Sequence, residues 1–260
     1  MGGFQNYLEI AGLAFRRSGR EILGDVSWTM PRGENWAVIG ANGSGKTTLL
    51  QIAGGVLFPT SGSVAVLGRR FGKTDLFQIR MRVGWVSSAL AARMPGHETL
   101  LQTVLTGSRA TFGSFHEYSP EESGRALDLL GAAGLGYVAD SPFGVLSQGE
   151  KQRGLFCRAL MPHPELLILD EACAGLDLKA REEFLRNAGA LMRERKVGVI
   201  LVAHHIEEIP PETDQALVLK DGRVLASGPT DGTITGAVLS EAFDVKVRVE
   251  RAGGRFWSRI

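Results

Sequence analysis

Residues 34–53, ENWAVIGANGSGKTTLLQIA, constrain the fold of this chain more than any other segment. The run WAVI has no polar alternation, so both of its faces must be covered, as in the strands of a parallel sheet packed between layers. It passes through a glycine-rich turn directly into residues with helical spacing. The turn, GANGSGKT at 40–47, matches G-x-x-x-x-G-K-[ST] at every fixed position and lies between a strand and a helix. Gly40, Asn42, Gly43, Ser44 and Gly45 are expected to curl backbone N–H groups around phosphate oxygens, with the positive helix end behind them. Lys46 is expected to reach the β- and γ-phosphates and the Thr47 hydroxyl a Mg²⁺ ion, with Thr48 beside it in the first turn.

Two further apolar runs end in chemically capable residues. LLILDE, 166–171, delivers Asp170 and Glu171 to the carboxyl edge of a sheet, where ligands bind in open α/β folds. Asp170 is the candidate for holding Mg²⁺ through water, and Glu171 for orienting or deprotonating an attacking water. VILVAHH, 199–205, brings His204 to the same edge, where it can sense a γ-phosphate. His205, one residue on, faces the opposite way.

Strands alternating with helices indicate an α/β domain with a mostly parallel sheet. NYLEIAGLAF and VSWTM, joined by RRSGRE, read as an antiparallel N-terminal layer, and GSVAVLG and RVGWVSS as further strands. From 89 to 145 the spacing is helical; SPEESGRALDLLGAAG has a serine cap, Pro120 at the first position and a closing glycine. This gives a single domain with a core at 1–88 and 146–229, an inserted helical subdomain at 89–145 and a tail at 230–260. ALVLKDGRVLASG reads as a hairpin turning on Asp221-Gly222, and the tail as a short helix and another hairpin.

Composition narrows the class. With Lys+Arg 29 against Asp+Glu 28 there is no electrostatic case for nucleic acid. No run approaches the roughly 20 apolar residues of a membrane-spanning helix, and the N-terminus shows no signal-peptide pattern. Two cysteines, Cys157 and Cys173, lack metal spacing and suit a reduced, cytoplasmic protein.

LSQGEKQR, 146–153, reads first as a capping box, Ser147 with Glu150, at a helix start. Gln148 and Gly149 add a small polar surface at a positive helix end, open to an anion. With the other motifs, in this order, the chain resembles the ATP-binding subunit of an ABC transporter over nearly its whole length. GANGSGKT resembles the Walker A motif, LLILDE Walker B, LSQGEKQR the ABC signature and AGLD, 174–177, the D-loop, with His204 as the switch histidine. The resemblance implies ATP and Mg²⁺ as ligands and a head-to-tail homodimer around two ATP molecules. Ser147, Gln148, Gly149 and Glu150 would then face the nucleotide held at Lys46 of the other subunit, and Asp177 would cross the same interface. It also implies separate transmembrane permease subunits, with this chain peripheral on the inner face of the membrane.

Departures from the family pattern carry information. Ser88 stands where the strand VGWVSS should end in a magnesium-touching glutamine, so its metal contact is expected to run through water. Gln148 and Glu150 replace a glycine and a glutamine, and Ala172 a proline. The adenine-stacking aromatic falls by spacing at Arg17, whose guanidinium plane can also stack on a base, with Phe15 the alternative. Transport of a small solute, a metal chelate or an oxyanion, is the leading expectation. A soluble ATPase of the same family, in a regulatory or assembly role, is the second, kept open by Ser88.

Overall fold

The computed structural model describes residues 4–260. Strands β1 (Asn6–Arg17) and β2 (Arg20–Pro31) form an antiparallel hairpin, with Ser18 and Gly19 supplying the positive φ of its turn. Strand β3 (Trp36–Ile39) and helix α1 (Lys46–Ala53) flank the glycine loop. Strands β4 (Ser61–Val66) and β5 (Arg69–Arg70) complete the N-terminal sheet in the order β2-β1-β4-β5. Helix α2 (Leu76–Arg80), strand β6 (Val83–Ser87) and helix α3 (Ser88–Ala91) follow.

Helices α4 (Leu100–Leu105) and α5 (Pro120–Ala132) lie in the helical stretch, and α6 (Gln148–Leu160) follows it. Capping boxes start all three: Thr99 with Gln102, Ser119 with Glu122, and Ser147 with Glu150. Strand β7 (Leu166–Asp170), helix α7 (Leu178–Glu194) and strand β8 (Gly198–Val202) return the chain to the sheet. Strands β9 (Gln215–Lys220) and β10 (Arg223–Pro229) form a hairpin, Asp221 and Gly222 both having positive φ as a type I′ turn requires. Helices α8 (Thr230–Thr233) and α9 (Gly236–Phe243) and the hairpin of β11 (Arg248–Ala252) with β12 (Arg255–Arg259) close the fold.

The main sheet runs β10-β9-β3-β8-β7-β6, parallel except at β10. The unalternating apolar runs have a direct cause. Leu167 and Leu169 of β7, with Val199 and Leu201 of β8, pack against the helical side. Their neighbours Leu166, Ile168, Ile200 and Val202 pack against α1 and the N-terminal sheet. A fully buried residue of this type contributes about 1.5–3 kcal/mol. The centre of the sheet, buried on both faces, is therefore a firm platform for residues at its edge. A third cluster joins Ile39, Ala203 and Val218 to Leu239 and Phe256 of the tail.

Two elements end earlier than the apolar runs suggest. β6 stops at Ser87, whose hydroxyl accepts from the Leu90 N–H and caps α3, so Ser88 opens a helix and does not end a strand. β8 stops at Val202, leaving His204 in the segment beyond it. Cys157 and Cys173 are free thiols whose burial pushes each up to about 12. Among the described residues no helix is long and apolar enough to cross a membrane.

Candidate nucleotide site

Register assembles the site. Val202 of β8 lies level with Val38 of β3 on one side and with Asp170 of β7 on the other. Gly40 and His204 each follow that level by two residues and Glu171 by one, so three separate motifs emerge at one sheet edge.

The glycine loop is shaped for backbone approach. Gly43 and Gly45 hold φ of 80° and 98°, and a Cβ on Gly45 would lie 2.6 Å from Leu23 Cδ2. The Ser44 carbonyl accepts from the Gly222 N–H at 3.2 Å, so the β9–β10 turn braces the loop. Lys46 is 4% exposed and donates from Nζ to the carbonyls of Gly40 (2.7 Å) and Ala41 (3.0 Å). One of its three N–H groups remains for a ligand. Burial lowers the Lys46 pKa, while the charges of Glu171 and Asp170 oppose that shift. The ammonium thus has carboxylates near but no direct ion pair, a state that an anionic phosphate improves.

Asp170 is 5% exposed, and its Oδ1 is buried without a hydrogen-bond partner. Burial, then the charge of Glu171, pushes its pKa up to about 6, against the pull of Lys46, the Thr47 hydroxyl and His204. An orphaned buried oxygen beside the Thr47 hydroxyl fits a hard cation. Among the described residues no three His, Cys, Asp or Glu side chains cluster as a metal cage. A hydroxyl with one carboxylate is instead the sparse donor set that Mg²⁺ uses together with substrate phosphates.

A carboxyl whose folded pKa is raised favours the protonated native state. Its contribution to stability is present below the ordinary aspartate value and is lost as pH rises through about 6. Asp170→Asn is therefore expected to melt higher than wild type without nucleotide. The gap should be small near pH 4 and widen through pH 6, as checked by calorimetry across pH; a gap that narrows contradicts the cause given.

Glu171 sits in the left-handed region, φ 54°, uncommon for a residue other than glycine. This sharp turn follows buried Asp170 immediately and leaves the Glu171 side chain lining the glycine-loop cleft. His204 Nε2 lies 2.8 Å from Glu171 Oε1, both side chains being about one-third exposed. A carboxylate only accepts, so the imidazole N–H donates. An acid fixed by a histidine, beside a phosphate cradle, is equipped to orient and deprotonate water.

The signature residues lie elsewhere. Asn42, Gly43, Gly45, Lys46, Thr47, Thr48 and Glu171 line the cleft, whereas Ser147, Gln148, Gly149, Glu150 and Asp177 do not. Ser147 and Gln148 are exposed at the start of α6. The Ser147 hydroxyl donates to Glu150 Oε2 at 2.6 Å, and the Tyr137 hydroxyl to Glu150 Oε1 at 2.6 Å. The Ser147 hydrogen bond, then that of Tyr137, lowers the Glu150 pKa. At Gly149 a Cβ would lie 2.8 Å from Ala180 Cβ, so α6 and α7 meet where only glycine fits. Asp177 caps α7, its Oδ1 accepting from the Ala180 N–H at 2.8 Å.

Three expected residues sit differently. The cleft wall beside the glycine loop is made by Arg20 and Ile22, not by Arg17 or Phe15. Arg17 is exposed at the end of β1, paired in register with Arg20, and Phe15 packs part-buried against the core. Spacing alone missed Arg20 because the tight turn at Ser18–Gly19 sends the returning strand past the loop. Ser88 does not line the space beside Thr47 and Asp170; Ser87, level with Asp170 across the sheet, does. That space is the inner end of a groove of about 490 Å³, whose walls include Arg80, Trp85, Arg93 and Phe112 and whose rim includes exposed Val56 and Phe77.

Comparison with known proteins identifies the family and the fold. The family model described as ABC transporter matches residues 23–174. An uncharacterized ABC transporter ATP-binding protein of Bacillus subtilis, YlmA, is 41% identical over 244 residues, 93% of this chain and 92% of that protein. The structure of cbiO1 from Clostridium perfringens, part of the ABC transporter complex cbiONQ, superposes with a TM-score of 0.78. It has 26% identity and covers 92% of this chain and 94% of the other. The dimeric structure of a bacterial ABC transporter cassette superposes with a TM-score of 0.75 at 26% identity, over 85% of this chain and 98% of that one.

Proposed function

Because the chain belongs to the ABC transporter family of ATP-binding proteins, we propose that it binds and hydrolyses ATP as the energising subunit of a transporter. The observation that carries this reading is the Glu171–His204 hydrogen bond of 2.8 Å at the edge of the Lys46 cleft. Lys46 and the N–H groups of residues 43–48 receive the β- and γ-phosphates. Thr47, and Asp170 through water, would hold Mg²⁺, which when bound would neutralise phosphate charge. Glu171 accepts a proton from the attacking water while His204 fixes its carboxylate and touches the γ-phosphate side.

Ser147 and Gly149 are exposed or half-buried on a surface separate from the cleft of their own chain. A second copy brings them to the γ-phosphate, so ATP acts as the bridging ligand of a homodimer and hydrolysis releases it. The dimeric cassette among the structural relatives supports this mode.

The groove beside Ser87 supports docking of a membrane subunit, since it leads from an apolar rim to Thr47 and Asp170. Docking there makes the protein peripheral on the cytoplasmic face of a membrane, and the relative that belongs to the cbiONQ complex favours a multi-subunit assembly. The solute is small, a metal chelate or an oxyanion. A second reading, a soluble ATPase with a regulatory or assembly role, stays open because the strand end level with Asp170 carries Ser87 and not the glutamine of the family pattern.

The direct test is Mg²⁺-dependent phosphate release from ATP by the purified protein; no release at concentrations that permit dimerisation contradicts the reading. Ser88→Gln is expected to leave ATP affinity within about twofold, as for a substitution outside the phosphate cradle. A collapse of affinity in a fluorescent-nucleotide titration would place Ser88 in the cradle after all.

A further inference from the structure

The C-terminal hairpin lies outside residues 23–174, the part matched by the family model, yet it is built onto the segment that carries His204. Ala203, directly before the histidine, and Ile206, two residues after it, are both buried in one cluster with Phe256 of β12. The next residue, Glu207, accepts two hydrogen bonds at its Oε1, from the Ser258 N–H and from the Ser258 hydroxyl, each 2.8 Å. Burial opposes the ionisation of Glu207, but these bonds and that of its own N–H outweigh it and lower its pKa. On the other side, Arg255 Nη1 donates to both carboxylate oxygens of Glu182, at 3.0 and 2.7 Å. Glu182 belongs to α7, the helix that Asp177 caps. A Cβ on Gly254, in the hairpin turn, would lie 3.4 Å from Pro211, so the turn also seats against the chain leaving the histidine segment.

We infer that the β11–β12 hairpin is a positioning element for His204, with Glu207 and Ser258 as the residues through which it acts. The inference rests on the proposed role of His204 in hydrolysis. β8 ends at Val202 and the Ala203 N–H still donates to the Val38 carbonyl of β3 (3.3 Å), but among the described residues no sheet hydrogen bond holds 204–208; the hairpin adds support there. Its second tie, Arg255 to Glu182, places His204 and the Asp177 helix on one support.

Steady-state hydrolysis of Mg-ATP and histidine-selective NMR of the nucleotide-free full chain test this together, the His204 line being identified by its loss in His204→Ala. Glu207→Ala is expected to lower kcat about tenfold with KM within about twofold, since displacement of a catalytic group by ångströms costs rate more than binding. It is expected to broaden or shift the His204 line. Glu207→Gln keeps an acceptor oxygen for Ser258 and should restore both the line and most of the rate. In a His204→Ala background, Glu207→Ala should cost nothing further. Unchanged kcat in Glu207→Ala, or a loss fully additive with that of His204→Ala, overturns the inference. If the wild type hydrolyses no ATP, the proposed function fails, and an unaltered His204 line in Glu207→Ala then separately overturns the positioning role.

Discussion

Lys46→Ala is expected to weaken ATP binding by about 100-fold or more and to abolish hydrolysis at millimolar ATP. The ammonium is buried, and its two carbonyl acceptors in the loop leave a donor free for a phosphate oxygen. A charge-assisted hydrogen bond in so dry a site contributes about 1.5–3 kcal/mol, and 1.4 kcal/mol is tenfold in affinity. Alanine also removes the charge that faces Asp170 and Glu171, so the phosphates enter a cleft of net negative sign. Equilibrium nucleotide titration checks the affinity, and a circular-dichroism melt separates lost binding from lost fold. Near-normal turnover in a folded Lys46→Ala protein contradicts the site.

Glu171→Gln is expected to lower turnover about 10²- to 10⁴-fold, the range contributed by a positioned general base, with ATP affinity retained. Glutamine preserves length and an acceptor for the His204 N–H, now 2.8 Å from the carboxylate, but does not take a proton from water. Lost binding in this variant would give Glu171 a structural role instead. Rapid-quench measurement of one turnover distinguishes slowed chemistry from slowed product release.

What the sequence made legible follows from how local each signal is. The glycine loop, LLILDE and the Asp221-Gly222 turn are local patterns with one physical solution each, and they stand where the spacing puts them. The capping box at Ser147 is equally local, yet its exposure on a surface apart from the Lys46 cleft is visible only once α6 is folded against α7. Residues whose placement depends on how a strand ends were harder to read. Ser88 looks like the end of an apolar strand, but Ser87 caps a helix there and takes the position level with Asp170. Arg17 fits by counting, while the tight turn after it carries Arg20 to the cleft wall. The tie from Ser258 to Glu207 spans 51 residues, and no spacing rule signals it.

In the proposed dimer the signature of one chain reads the nucleotide of another. Light scattering after gel filtration of Glu171→Gln, with and without Mg-ATP, tests this most directly. The protein is expected to elute as a monomer without nucleotide and at twice that mass with Mg-ATP, and substitution of Gly149 by a larger residue should prevent the doubling. A protein that binds Mg-ATP and remains a monomer contradicts the composite site for the isolated chain.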